Sequence, residues 1–192
     1  MSIDPVAHLR ELSAVAARAA DALAAEIREA AALVQGTLEA GGTLFFCGNG
    51  GSAADAQHMA TEYVVRYQRA RRPLRAIALT TDTSLLTAAA NDFSFDEVFS
   101  RQVLALGRPG DLLILHTTSG NSPNCLRAIE AARQVGVRTL ALTAKDGGKI
   151  RGLADLCLVV PTDRTDRAQE IHLAIQHAIC DVIDAAAATQ EP

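Results

Sequence analysis

Apolar residues recur at three- and four-residue spacing from residue 6 to residue 39, in a stretch dominated by Ala, Leu, Glu and Arg. That period in strong helix formers predicts helix. Gly36 and the pair Gly41-Gly42 punctuate its end. The stretch is longer than a typical single helix, so it reads as two helices, or as one long helix that packs on a partner chain. Its alanines permit close helix approach, and a helix lying on its own domain is the plainer alternative. From Gly42 the texture changes. Short apolar runs at residues 43–47, 75–79, 111–115, 137–142 and 156–160 alternate with helical patterns near 53–68, 84–90, 95–105, 123–135 and 148–154. Runs this short and this apolar suit strands buried on both faces. Five strands with helical crossovers predict an α/β fold with a parallel sheet, and right-handed crossovers favour the flavodoxin-like strand order. A last helix is predicted from about residue 167 to 187. The chain divides into a helical region, 1–40, expected to serve oligomerisation, and an α/β domain, 41–192.

Composition narrows the function classes. The 192 residues, 20.2 kDa, are 49% hydrophobic and 21% charged, with a formal net charge of −4. That is enough apolar content for a packed core and no basic surplus for nucleic acid. Aromatics make up 4% and Trp is absent, which argues against a stacking platform for single strands. No apolar run approaches the roughly 18 residues of a membrane span. The N-terminus lacks a signal-peptide core. Four scattered cysteines, Cys47, Cys125, Cys157 and Cys180, form no CxxC pair and read as reduced thiols in the cytoplasm.

Ligands of a doubly wound sheet bind at the carboxyl ends of its strands. Two such ends are unusual here. Cys47-Gly48-Asn49-Gly50-Gly51-Ser52 leads from a strand into a helix, and Thr117-Thr118-Ser119-Gly120-Asn121-Ser122 does the same. Glycines let backbone approach a ligand, and free N–H groups at a helix start attract anions. A helix cap plus a turn would use the same residue types. Two such loops in one small sheet favour a phosphate monoester. Neither is a Walker A or GxGxxG motif, which argues against nucleotide hydrolysis and dinucleotide redox chemistry.

His58 and Glu62 stand four apart on one helical face, a spacing at which imidazole and carboxylate can share a divalent metal, zinc being a natural choice. A solvent-facing hydrogen-bonded pair is the ordinary alternative. Arg66, one turn on, is placed to hold an anion or to pair with Glu62. On the last helix Gln169 and His177 are eight residues apart, about 12 Å of rise and about 80° around the axis. One metal takes both only if the helix bends or different subunits contribute. His172 reads as a structural hydrogen bonder, His116 as packing or support behind the hydroxyl loop, and His8 as solvent-exposed. Asn91-Asp92 reads equally as a cap or Asx turn and as a pair that recognises sugar hydroxyls.

The strings CGNGGSAADAQHMATE, AIALTTDTSLLTAAANDFSFDEVFSRQV, TTSGNS, ALTAKDGGK and RAQEIHLAIQH resemble the phosphoheptose isomerase (sedoheptulose 7-phosphate isomerase) family, within the sugar isomerase domain superfamily. The resemblance runs from about residue 35 to 185, in order and without large gaps. It implies a homotetramer with active sites between subunits and one zinc per subunit, held by His58, Glu62, Gln169 and His177. It implies Glu62 and His177 as the catalytic pair. Asn49, Gly50, Gly51, Ser52, Glu62, Asn91, Asp92, Thr117, Thr118, Ser119, Ser122 and Gln169 are implied to contact the sugar phosphate. Thr117 departs from the Ser of many members, but keeps a hydroxyl and a backbone N–H. His116 replaces a small or apolar residue. The implied reaction is aldose–ketose isomerisation of sedoheptulose 7-phosphate to D-glycero-D-manno-heptopyranose 7-phosphate through an enediol, with no nucleic-acid or membrane partner. A non-catalytic family that binds the replication initiator DnaA is similar in AIALTTD and in the late CDVID. That family typically lacks the carboxylate and imidazole that Glu62 and His177 supply here.

Overall fold

The computed structural model describes residues 4–188. The N-terminal stretch forms two helices, α1 (Pro5–Ala22) and α2 (Ala24–Glu39). Asp4 caps α1 by accepting from the Val6 N–H at 2.9 Å, with Pro5 in the first turn. The break falls at Leu23, which leaves helical geometry at φ −115°. The five strands are β1 (Leu44–Gly48), β2 (Ala76–Ala78), β3 (Leu112–His116), β4 (Arg138–Ala144) and β5 (Leu156–Val160). All are parallel, in the order β2-β1-β3-β4-β5, the flavodoxin-like arrangement. Every residue of β1 and β3 is buried, as their apolar runs require.

The side-chain period of two splits the core between two faces. Leu44, Phe46, Leu112, Ile114, Leu140 and Leu142 face one side. There they meet α1, α2, α3 (Gly51–Val64) and α7 (Thr165–Ala188) through residues such as Val34, Met59, Ile175 and Ile179. Phe45, Cys47, Leu113, Leu115 and Ala141 face the other side, against α4 (Thr83–Asp92), α5 (Ser100–Leu106) and α6 (Pro123–Val135). The N-terminal helices therefore share a core with α7, and α2 lies on its own chain. Helix α7 is long and apolar enough to cross a membrane, yet Ile171, Ile175, Ile179 and Ile183 are buried in this core.

Three predicted helices are shorter than the pattern suggested. The helix predicted over 53–68 ends at Val64, because the Arg71 guanidinium donates to the carbonyls of Glu62 and Tyr63 and closes the last turn. The helix predicted over 95–105 is split into a 3₁₀ turn (Phe95–Glu97) and α5. Ser94 caps the Asp96 N–H, and the Ser100 hydroxyl donates to the Glu97 carbonyl. Residues 148–154 form only a 3₁₀ turn (Lys149–Gly152), since Gly147 and Gly148 enter it at φ 85° and 56°. The four cysteines are unpaired, three of them buried.

Candidate functional site

Gly48 and His116 are register partners at the carboxyl ends of β1 and β3, so the two glycine- and hydroxyl-bearing loops leave the sheet side by side. Contact is close enough to require glycine. A Cβ on Gly48 would lie 2.8 Å from the His116 carbonyl oxygen and 2.7 Å from that of Ser52. Reciprocal amide bonds join the loops, Asn49 to Asn124 at 2.9 Å and Asn124 to Asn49 at 2.8 Å. Gly50 precedes α3 at φ 58°, and Ser52 is buried in the first turn. Gly120 turns the hydroxyl loop at φ 62°, against the Gly147 carbonyl. Asn121 then accepts from the Lys149 N–H, so the 147–149 turn braces the loop from outside. Ser122 is the N-cap of α6 but makes no side-chain cap bond, and Thr118, Ser119 and Ser122 are half-buried. Two helix N-termini with these hydroxyls around them can hold a dianion.

One and two turns along α3 from Ser52 are Asp55 and His58, and Glu62 follows. The His58 Nε2 lies 3.0 Å from the Glu62 Oε1 and 3.3 Å from the His177 Nε2 on α7. Ligand atoms of all three residues lie within 4.8 Å of one another. A single Nε2 hydrogen cannot serve both neighbours, whereas a divalent cation satisfies three converging lone pairs. Nitrogens about 2.0–2.1 Å from a tetrahedral zinc lie about 3.3 Å apart, the spacing of the two imidazoles here. The donor set therefore fits zinc with a coordination position left open. Burial pushes the His177 imidazole below its ordinary pKa, nearby His58 adds to this, and Glu62 opposes it. Burial raises the Asp55 carboxyl, with His58 pulling against, and its Oδ2 has no hydrogen-bond partner among the described residues.

Gln169 stands elsewhere. Helix α7 is continuous from Thr165, and the Gln169 amide packs on Gly51, within 2.8 Å of where a Cβ would sit. In this chain it faces the anion loop rather than the His58–Glu62–His177 cluster. Asn91 and Asp92 form the last turn of α4, both exposed, with Asn91 donating to Asp92 at 2.9 Å. Neither caps the following turn, whose N-cap is Ser94. Asp92 lines a groove with Leu85, Phe93 and Arg101, whereas Asn49 lines a cavity with Thr80, Leu86 and Phe99. Arg66 is exposed, and no ion pair links it to Glu62 among the described residues.

The remaining histidines lie outside this cluster and are held by contacts within the fold. His172 is fully buried and donates through Nε2 to the Thr143 carbonyl at 3.0 Å. His116 is fully buried and accepts from the Gln176 amide at 3.2 Å. His8, expected in solvent, is half-buried, because Arg167 donates to its Nδ1 at 2.8 Å and to its carbonyl. Two further neighbours of the site emerge from the structure. Asn124 could have been found as a polar residue in the first turn after the hydroxyl loop. Tyr67 stacks on the His177 ring at 5.4 Å between centroids, and no periodicity marks it.

The family model for the SIS domain matches residues 7–144. A phosphoheptose isomerase of Paramagnetospirillum magneticum is 58% identical over 152 residues, 79% of each chain. One from Rhodospirillum rubrum is 54% identical over 82% of this chain and 84% of its own. Among solved structures, the phosphoheptose isomerase of Neisseria gonorrhoeae superposes with a TM-score of 0.89 at 46% identity. It covers 94% of this chain and 96% of that one.

Proposed function

The chain belongs to the phosphoheptose isomerase family of SIS-domain proteins, and from that premise we propose that it converts sedoheptulose 7-phosphate to D-glycero-D-manno-heptopyranose 7-phosphate. The observation that carries this reading is the convergence of His58, Glu62 and His177 beside a paired anion loop. The relatives' names speak for the isomerase and not for a DnaA-binding regulator.

Isomerisation moves one proton from C1 to C2 and one from O1 to O2. In our reading the Glu62 carboxylate takes the C1 proton, leaving an enediol, and returns it to C2. His177 relays the O1 hydroxyl proton to O2, and also serves ring opening. Burial disfavours its charged form. Ser52, Thr118, Ser119, Ser122 and the first N–H groups of α3 and α6 hold the phosphate. Binding energy there is remote from the reacting carbons and can be used to orient them. Asn49, Gly50, Gly51 and Thr117 shape the pocket floor. Asn91 and Asp92 would meet the sugar. A zinc ion held by His58, Glu62 and His177, one per subunit, would polarise the substrate's carbonyl and hydroxyl oxygens.

Gln169 lies two turns from His177 on the continuous α7, so in this reading a neighbouring subunit supplies it to such a metal. This supports a homotetramer with sites between subunits. The exposed Val6 and Leu9 on α1, 49% and 68% accessible, offer an apolar face for that assembly. Buried unpaired thiols suit the cytoplasm. Two measurements test the proposal. Purified protein with zinc and sedoheptulose 7-phosphate should yield aldose signals by NMR, and none would refute the activity. Light scattering at micromolar concentration should give four times 20.2 kDa, and a mass near one chain would refute the assembly.

A further inference from the structure

A buried ion pair that the proposed chemistry does not use joins the loop after α3 to α7. The Asp184 and Arg71 side chains are both fully buried and meet at 2.8 Å. Asp184 Oδ1 accepts from the Arg71 Nε. Its Oδ2 accepts from the backbone N–H groups of Gln68 and Arg69 at 3.0 and 2.6 Å. Arg71 in turn donates to the Glu62 carbonyl at 2.7 Å, and to those of Tyr63 and Arg72 at 2.9 and 3.0 Å. The guanidinium thereby caps two of the orphan carbonyls of α3 at the negative end of its dipole. Asp181 adds a bond to Arg69 at 2.7 Å, so both acids of the CDVID string face this loop. Between the two anchored points lies Tyr67, whose ring stacks on His177.

We propose that the Arg71–Asp184 pair is a positioning device for the Glu62–His177 pair. It ties the carboxyl end of α3, which carries Glu62, to α7, which carries His177. It also holds the 65–74 loop so that Tyr67 packs on the His177 imidazole. The inference rests on the isomerase reading given above. A buried charge pair adds little stability over apolar residues of the same volume, because desolvation offsets its attraction. What it does supply is directional: Arg71 bonds three carbonyls and a carboxylate in one plane, which fixes the α3 terminus against α7. Small misplacement of reacting groups costs about a hundredfold in rate, and loss of partners behind metal ligands costs about 10–100-fold in metal affinity.

The test uses the full chain with zinc and four variants. Tyr67→Ala removes the ring, which is half-buried against the rim of the core, and Tyr67→Phe restores it. Arg71→Lys keeps the charge but loses the fork. Ile129→Ala, on the opposite face of the sheet, controls for lost stability alone. Zinc affinity is read by competition with a chromophoric chelator, and kcat and KM by NMR. Tyr67→Ala and Arg71→Lys should each weaken zinc and lower kcat by about tenfold or more, with KM for the sugar phosphate within about twofold. Tyr67→Phe and Ile129→Ala should match the unmutated protein in both. If Tyr67→Ala keeps zinc affinity and kcat within about twofold, the proposal is overturned, whether or not Arg71→Lys folds. An inactive unmutated protein whose zinc affinity still falls in the variants would refute the isomerase reading and leave the positioning role standing.

Discussion

Acid should weaken this protein mainly through two buried histidines outside the His58–Glu62–His177 cluster, with His177 adding in the same direction. His116 and His172 are fully buried, and burial lowers their pKa values to about 3 and about 4. Neighbouring His172 depresses His116 further, and backbone contacts at Ser52 and Thr143 offset only part of the shifts. In the unfolded chain each imidazole titrates near about 6.5. Below that pH the unfolded state binds protons that the folded state refuses, so stability falls as pH falls. The stabilisation is fully present above about 6.5 and is lost down to the folded pKa of each ring. The slope is about 1.4 kcal/mol per pH unit for each. At pH 5, about 1.5 units below the unfolded value, each costs roughly 2 kcal/mol, and the two together roughly 4. Ordinary carboxylates stay ionised in that range, so they contribute little. Urea unfolding at fixed protein concentration, at pH 7, 6 and 5, measures the loss. His172→Gln and His116→Gln will lower stability at every pH, so the quantity compared is the loss between pH 7 and 5. Each substitution should shrink that loss by roughly 2 kcal/mol. If both variants lose as much as the unmutated protein, the rings are not held neutral by burial.

Other substitutions probe the site directly. Gly120→Ala places a methyl on the Gly147 carbonyl at a φ of 62°, so it should cost at least about 1–3 kcal/mol in thermal unfolding and raise KM more than it lowers kcat. Asn124→Ala strands the Asn49 amide and should cost about 1–2 kcal/mol by urea titration, with weaker sugar-phosphate binding. His177→Ala removes a proton relay and a ligand atom together, so zinc content by elemental analysis and turnover should fall in parallel.

The sheet was legible because five short apolar runs admit few other structures, and β1 and β3 are buried along their whole length. The anion loops were legible because glycine and hydroxyls at strand ends have a local chemical meaning. Helix ends were less so. Val64 ends α3 through Arg71, a residue outside the helix whose partner Asp184 lies more than a hundred positions on. No window of neighbouring residues contains that information. The same holds for Tyr67 on His177 and for Arg167 on His8, both contacts made by tertiary packing. Periodicity placed His58 and Glu62 on one face, where they meet at 3.0 Å, while Gln169 and His177 stand eight residues apart on the continuous α7.

Glu62 is proposed to move the carbon-bound proton of a sugar phosphate. NMR of sedoheptulose 7-phosphate with zinc-supplied protein, unmutated and Glu62→Gln side by side, puts that role to the test. The unmutated protein should form the aldoheptose 7-phosphate. The variant should bind the sugar phosphate yet turn it over about two to four decades more slowly. Turnover by Glu62→Gln near that of the unmutated protein would rule Glu62 out as the base.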